Sequence, residues 1–312
     1  MKKKKLILLV LSLFIGVYVL LQVIPYGKKD IDTPFKIKEG ERPLVMAHGG
    51  AKLMNPENTW MAFNYAYTLG VDVLEMDLQI TKDGELITYH NNELEDFSDA
   101  EGLVSELTYA EIKQYNFGEN FTDLDGNTPY RDLTDVEIAL YGDALVPASL
   151  EQMFQKYGPN MLYVCELKNE GELGRKSAEK MVELLKKYGM EDKVCVASFH
   201  KDTMDYFLSI APENTVTSFD MSTATSFVIA NYAGYGLFMN YPNNGLQLPM
   251  SQKGIPLDLE YLVYKIHKNN MFLHYWTIND VDDMRKCIEL GADGIITDRP
   301  DLLIQLLDEM GY

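Results

Sequence analysis

Hydrophobic and polar positions change period several times along this chain, and those changes outline its architecture. Lys2–Lys5 precede an apolar run from Leu6 to Pro25, about the 20 residues a bilayer-spanning helix needs. The flanking lysines would hold that end in the cytoplasm and place the remainder outside. No small-residue cleavage site follows in VLLQVIPYG, so the run reads as a retained transmembrane anchor rather than a secretory signal. Residues 1–29 are thus cytoplasmic lysines plus anchor, 30–43 a polar linker, and 44–312 the main domain. From residue 44 onward, strand-like and helix-like runs alternate. LVMAH (44–48), residues 72–80, MLYVCELK (161–168), VCVASF (194–199), TVTSF (215–219), GLFMNY (236–241), MFLHYWTI (271–278) and DGIITD (293–298) read as strands. Helix-like stretches separate most of them, including one that opens at Asn55-Pro56-Glu57, with proline in its first turn.

Such alternation over roughly 250 residues predicts a (β/α)8 TIM-type barrel. A ninth strand-like run, Leu86–His90, exceeds the eight required. Asp83-Gly84 lies between it and the 72–80 run, and that dipeptide predicts a two-residue hairpin turn. Closing the turn pairs Lys82 with Glu85, Ile80 with Ile87, Leu78 with Tyr89 and Asp77 with His90. Because strand side chains alternate faces, Glu75, Asp77, Gln79, Thr88 and His90 would share one face. A two-residue turn cannot carry a parallel crossover. Either Leu86–His90 is therefore an extra antiparallel piece, or a weaker run such as GLFMNY is a loop. Residues 91–147 interrupt the alternation with an acidic, aromatic-rich segment. It reads as an insertion at the barrel mouth whose aromatics form a small core of their own.

Composition narrows the chemistry. Residues 1–29 carry six lysines and no acid, so the formal charge of −19 for the whole chain becomes −25 for the remainder. A domain that acidic is a poor general binder of nucleic acid or of anionic surfaces. Any phosphate must be attracted locally, by a metal or by a few cations. Cys165, Cys195 and Cys287 lie in apolar runs without a CxxC or Cys/His cluster, which points to core packing rather than to zinc or disulfides. Glu166 and Lys168, two apart on an apolar strand, share one face while Cys165 and Leu167 take the other. An oxygen-only carboxylate set suits a hard cation, and two imidazoles suit a reaction that removes one proton and delivers another near neutral pH.

Read in order, His48-x-Gly50, Pro56-Glu57-Asn58-Thr59, Glu75-x-Asp77, Thr81-Lys82-Asp83-Gly84, His90, Glu166-Leu167-Lys168, Ser198-Phe199, Trp276-Thr277-x-Asn279 and Gly294 to Asp298 resemble the glycerophosphodiester phosphodiesterase family. The resemblance implies a barrel that hydrolyses a small glycerophosphodiester, or a lipid-derived one, to glycerol 3-phosphate and an alcohol. By matched position it implies His48 and His90 as the acid–base pair. It also implies Glu75, Asp77 and Glu166 as ligands of one divalent cation, Ca2+ or Mg2+, Lys168 as the phosphate partner, and Trp276 as a pocket wall. In the family mechanism the substrate's own glycerol hydroxyl attacks phosphorus, and water then opens the cyclic phosphate. Two positions depart from the family pattern: Gly49 stands where the family has Arg, and Asn91 stands where it has Asp. Lys52 or Arg299 is the candidate replacement for the lost guanidinium. His274 shares strand parity with Trp276, whereas His200 and His267 receive no role. Rival readings are a phospholipase-like or wall-polymer phosphodiesterase on the same barrel, and a non-catalytic phosphodiester-binding domain.

Overall fold

The computed structural model describes residues 2–23 and 33–312. In chain order the strands are β1 (Leu44–Ala47), β2 (Val73–Ile80), β3 (Leu86–Thr88), β4 (Leu162–Leu167), β5 (Val194–Ala197), β6 (Val216–Thr217), β7 (Gly245–Leu248), β8 (Ser251–Gln252), β9 (Ile255–Pro256), β10 (Phe272–Tyr275) and β11 (Gly294–Thr297). Eight of them form one parallel sheet in the order β6-β5-β4-β2-β1-β11-β10-β7. A parallel bridge between Ser218 and Gly245 joins its two ends. The result is the expected TIM-type barrel, with helices such as Gly171–Tyr188 between strands and Pro300–Met310 after the last one.

Both sources of the surplus strand are real. β3 pairs antiparallel with β2 and takes no place in the barrel. The GLFMNY run is not a strand either; Gly236–Phe238 forms one turn of 3-10 helix. The sixth barrel strand is instead β7, inside a stretch that carries the turn-type residues Asn243-Asn244-Gly245. Gly245 is demanded by packing, because a Cβ there would sit 2.3 Å from the ring of Phe272.

Register in the hairpin differs from expectation by one residue. Leu78 faces Thr88, Gln79 faces Ile87 and Ile80 faces Leu86. The loop holds three residues, not two: Thr81 N–H donates to Glu85 O at 2.9 Å, and Gly84 N–H returns to Thr81 O at 3.0 Å. Gly84 takes φ +84°, the left-handed residue that ends a three-residue hairpin loop. Asp77 therefore lies opposite Tyr89, whose N–H donates to its carbonyl at 2.9 Å, and not opposite His90.

Strand parity divides two cores. Leu74, Met76, Leu78, Cys165 and Leu167 pack outward beneath the helices. Met46, Val73, Val164, Cys195, Val216 and Ile296 fill the lumen. The inward row then turns polar toward the C-terminal strand ends, where Val73 is followed by Glu75 and Asp77, and Val164 by Glu166. All three cysteines are buried with free thiols. Residues 91–147 hold no barrel strand. Phe121, Tyr130 and Tyr141 pack on one another at 5.9 and 5.5 Å, but the segment has no separate core: Phe97 and Phe117 join the main one, edge-on to Tyr89 at 5.7 and 5.6 Å.

Part of the expected linker is structural. Phe35 is fully buried within the lumen cluster, and its carbonyl accepts a hydrogen bond from His274 Nε2–H at 2.9 Å. The stretch from Thr33 thus closes the floor of the barrel, which moves the domain's start ahead of residue 44. His274 is core rather than pocket: it is fully buried and stacks on Phe272 with centroids 4.4 Å apart. Burial pushes its pKa from 6.5 down to about 4, despite the Phe35 carbonyl and the charge of Asp293.

The unfolded chain therefore takes up a proton as pH falls below 6.5, while the folded ring stays neutral until about pH 4. Stability contributed by the neutral ring is present above 6.5 and is lost through that window, by roughly 3 kcal/mol at pH 4. Urea unfolding of the full-length protein between pH 7 and 4 should show this slope. His274→Gln should flatten it by about one proton; an unchanged slope would contradict the assignment.

At the N-terminus, Lys2–Val23 is a helix. Among the described residues no helix is long and apolar enough to cross a membrane. The rest of the anticipated anchor, to Pro25, and the start of the anticipated linker fall at least in part on 24–32, outside the described residues. Tyr18 Oη donates to Gly234 O at 2.6 Å, so this helix meets the barrel beside the helix Met221–Tyr232.

Candidate active site

The lumen opens at the C-terminal ends of the strands into a cavity of about 440 Å3. His48, Glu75, Asp77, His90, Glu166, Lys168 and Trp276 all line it. Every residue anticipated from the sequence therefore reaches one site. β2 and β4 bring the carboxylates together through parallel register, with Asp77 beside Glu166 and Glu75 beside Val164.

His90 arrives by a route the hairpin reading missed. β3 ends at Thr88, and the chain bends past Tyr89 so that His90 still enters the cavity. Its Nδ1–H donates to Asn91 Oδ1 at 2.5 Å, and Asn91 Nδ2 donates to Asp96 Oδ2 at 2.5 Å. The residue that replaces the family's Asp thus keeps the imidazole oriented, through an amide backed by a carboxylate. His48 is held similarly: Nδ1–H donates to Asp298 Oδ1 at 2.6 Å. Asn279 fixes that carboxylate with its Nδ2–H on Oδ2 at 2.7 Å, while Asn279 Oδ1 accepts the Asp298 N–H at 2.9 Å. Both rings are tied by Nδ1, which leaves Nε2 for the cavity.

Sequence reasoning gave Asp298, Asn279 and Asn58 no role, although all three lay in the quoted motifs. Asn58 Nδ2 donates to Asp77 Oδ2 at 2.9 Å. The Gly49 N–H donates to Glu75 Oε2 at 2.9 Å. Buried carboxylates need such donors. Asn residues within acidic motifs were the available signal.

Electrostatics follow from burial. Burial pushes the Glu75 and Glu166 carboxyls up; His48 and Lys168 oppose it, and repulsion from neighbouring carboxylates adds to it. Asp77 goes the other way: burial raises it, but Lys168, the two histidines and the Asn58 hydrogen bond together outweigh that and hold it below the usual carboxylate range. Burial would lower His48, but Glu75 and the Asp298 hydrogen bond win and raise it. Lys168 Nζ sits between Asp77 Oδ1 at 3.0 Å and Glu166 Oε2 at 3.1 Å. Among the described residues no cluster of three or more His, Cys, Asp or Glu is spaced to grip a metal as it stands, since that ammonium separates two of the three carboxylates. The donor set nevertheless fits a hard divalent cation. Three largely buried carboxylates on adjoining strands repel one another, and the Lys168 ammonium pairs directly with only two of them.

Of the two candidate cations for the missing guanidinium, Arg299 is spent on Asp301, at 2.9 and 2.7 Å. Lys52 lies 3.5 Å from Glu57 and within the fields of Asp298, Asp77 and Glu75. Trp276 packs edge-on to Phe199 at 5.8 Å, and Lys168 Nζ stands 5.9 Å from the centre of the Phe199 ring.

A parallel barrel carrying paired histidines and buried carboxylates at its C-terminal mouth is a hydrolase scaffold of the phosphodiester type. Residues 48–302 match the glycerophosphoryl diester phosphodiesterase family. A glycerophosphodiester phosphodiesterase of Bacillus altitudinis is 29% identical over 85% of this chain and 98% of its own length. One from Caldanaerobacter subterraneus is 29% identical over 86% of this chain and all of its own length. An Oleispira antarctica phosphodiesterase, solved with the product sn-glycerol-3-phosphate, shares the fold. Its TM-score is 0.66 at 21% identity, covering 86% of this chain and 97% of that one. The chain belongs to the glycerophosphoryl diester phosphodiesterase family.

Proposed function

We propose that this protein hydrolyses glycerophosphodiesters to glycerol 3-phosphate and an alcohol, with His48 and His90 as the proton-transfer pair. The observation that carries the reading is the pair of imidazoles, each tied by Nδ1, in one cavity with Glu75, Asp77, Glu166 and Lys168. Their partners differ in charge, and that divides the labour. Asp298 is a carboxylate and favours the imidazolium of His48, which suits it to give its Nε2 proton to the leaving oxygen as the P–O bond breaks. Asn91 is neutral, which suits His90 to accept the proton of the attacking hydroxyl, from the substrate's glycerol or from water, as the new O–P bond forms. Lys168 would offset phosphate charge, and Trp276 would wall the substrate.

Glu75, Asp77 and Glu166 would hold one divalent cation, Ca2+ or Mg2+. When bound it would supply Lewis-acid polarisation of a phosphoryl oxygen. The N-terminal helix would anchor the barrel to the cell membrane with the domain outside, given its flanking lysines. A phosphodiester hydrolysis assay over a panel of head groups, with and without chelator, tests the whole reading; no turnover on any of them would sink it.

Lys52 would take over part of the absent arginine's duty. Lys52→Gln should raise KM on the order of tenfold, the worth of one charged hydrogen bond, with a smaller effect on kcat. Arg299→Gln should change neither. Steady-state kinetics on both variants decide it, and equal effects would dismiss the assignment.

A further inference from the structure

Two histidines in one cavity can divide an acid's work from a base's only if each ring proton sits on the right nitrogen. For His48 a carboxylate in direct contact settles this, with Asp298 Oδ1 at 2.6 Å from Nδ1. His90 has an amide there instead, that of Asn91. An amide is ambiguous where a carboxylate is not. Its oxygen accepts and its nitrogen donates, so by turning over it can meet either imidazole tautomer. With Oδ1 toward the ring, His90 carries its proton on Nδ1 and presents a bare Nε2 to the cavity. With Nδ2 toward the ring, the proton belongs on Nε2, and that atom can no longer accept one.

Asp96 removes the ambiguity. An ionised carboxylate only accepts, so the Asn91 atom that faces Asp96 Oδ2 at 2.5 Å is Nδ2. Oδ1 then faces His90 Nδ1 at 2.5 Å, and Nδ1 must carry the hydrogen. Each donor and acceptor in the row is forced by the one before it. The turn that carries the carboxylate, Leu94–Asp96, is itself well held. Leu94 is fully buried, and its carbonyl accepts from Tyr89 Oη at 2.9 Å and Ser98 Oγ at 2.7 Å. Asn120 Nδ2 donates to the Glu95 and Asp96 carbonyls at 3.0 and 3.3 Å.

We propose that Asp96 is a positioning residue: it fixes the Asn91 amide and, through it, the tautomer that makes His90 a proton acceptor. This deepens the reading of His90 as the base and rests on it. The carboxylate works at one remove, so the ring is oriented without a charge in contact with it. The segment 91–147 thereby gains a part in the chemistry, since Asp96 and the Asn120 that clamps its backbone both belong to it.

Kinetics of the full-length protein with divalent cation present give the first test. Asp96→Asn keeps the shape but lets the two amides pair in either sense. It should lower kcat about tenfold, the worth of one charge-assisted hydrogen bond, with KM nearly unchanged. Asn91→Asp alone should also be impaired, because it sets two carboxylates against each other. The double exchange Asn91→Asp/Asp96→Asn restores one acceptor for His90 and one donor behind it, and should return kcat to near the starting value. The same Asp96→Asn change is thus harmful in one background and restorative in the other, whereas a merely structural Asp96 would cost the same in both. A second readout needs no turnover. Long-range 1H–15N spectra of histidine-labelled protein, recorded above the usual histidine titration range, report which ring nitrogen holds the proton. The His90 signals are those missing from His90→Gln. They should show protonated Nδ1 in the unaltered protein, a shift toward protonated Nε2 in Asp96→Asn, and a return in the double exchange. An active enzyme in which Asp96→Asn leaves either the tautomer or kcat unchanged overturns the proposal while the reaction stands. The expected tautomer shifts in a protein that turns over no phosphodiester keep the positioning and sink the reaction instead.

Discussion

Replacing His48 or His90 with alanine is expected to lower turnover by roughly 10²–10⁴-fold, the usual worth of a positioned acid or base. Each ring is oriented by a dedicated partner, Asp298 or Asn91. Neither is a packing residue of the hydrophobic clusters, so the fold should survive both changes. Substrate affinity should change little, because Lys168, the carboxylates and Trp276 remain. Single-turnover kinetics with a binding isotherm separate the two effects. Near-normal turnover in either variant would make that histidine structural. The division of roles has its own signature: a phosphodiester with a very acidic leaving alcohol needs no proton from His48. Such a substrate should rescue His48→Ala and leave His90→Ala impaired.

Stripping divalent cations should cost on the order of 10³-fold in turnover, the scale of several kcal/mol of charge stabilisation. A cation would compete with Lys168 for the same oxygens of Asp77 and Glu166, and would relieve the burial that holds the Glu75 and Glu166 carboxyls up. Binding should therefore also show in stability. At a hundredfold excess over Kd, the added cation should stabilise the fold by about 2.7 kcal/mol. Glu166→Gln should lose most of that gain along with activity. Thermal unfolding with Ca2+, Mg2+ and chelator measures it directly. Full activity in chelator would mean that the Lys168 ammonium serves as the only cation.

Much of the site was legible because strand parity is a hard rule. Glu75 with Asp77, and Glu166 with Lys168, had to share faces once their strands were recognised. What failed was register and closure, where local patterns are degenerate. Asp83-Gly84 serves a two-residue turn and also a three-residue loop ending on a left-handed glycine. Thr81, whose hydroxyl oxygen accepts the Glu85 N–H at 3.0 Å while its O–H donates to Asp83 at 2.6 Å, tips the balance to the latter. GLFMNY looked like a strand because it is apolar, but its first half turns as 3-10 helix and leaves Phe238 exposed, while Tyr241 alone returns to the core. Asn243-Asn244-Gly245 carries turn-type residues although Gly245 opens β7, because a glycine made necessary by the Phe272 ring is indistinguishable, in sequence, from one made necessary by φ. Partners such as Asp298 and Asn279 become visible only when the last barrel strand lies beside the first.

Phe35 also sets how far the domain can travel. With that residue fixed in the barrel floor, only residues 24–34 connect it to the helix ending at Val23, a span of about 40 Å at full extension. On the membrane-anchored reading proposed above, a barrel leashed this closely would meet substrates held at the bilayer at an effective concentration set by the tether rather than by the surrounding medium. Weak affinity for each molecule would then suffice, and the enzyme's range would be a thin layer over the surface that holds it.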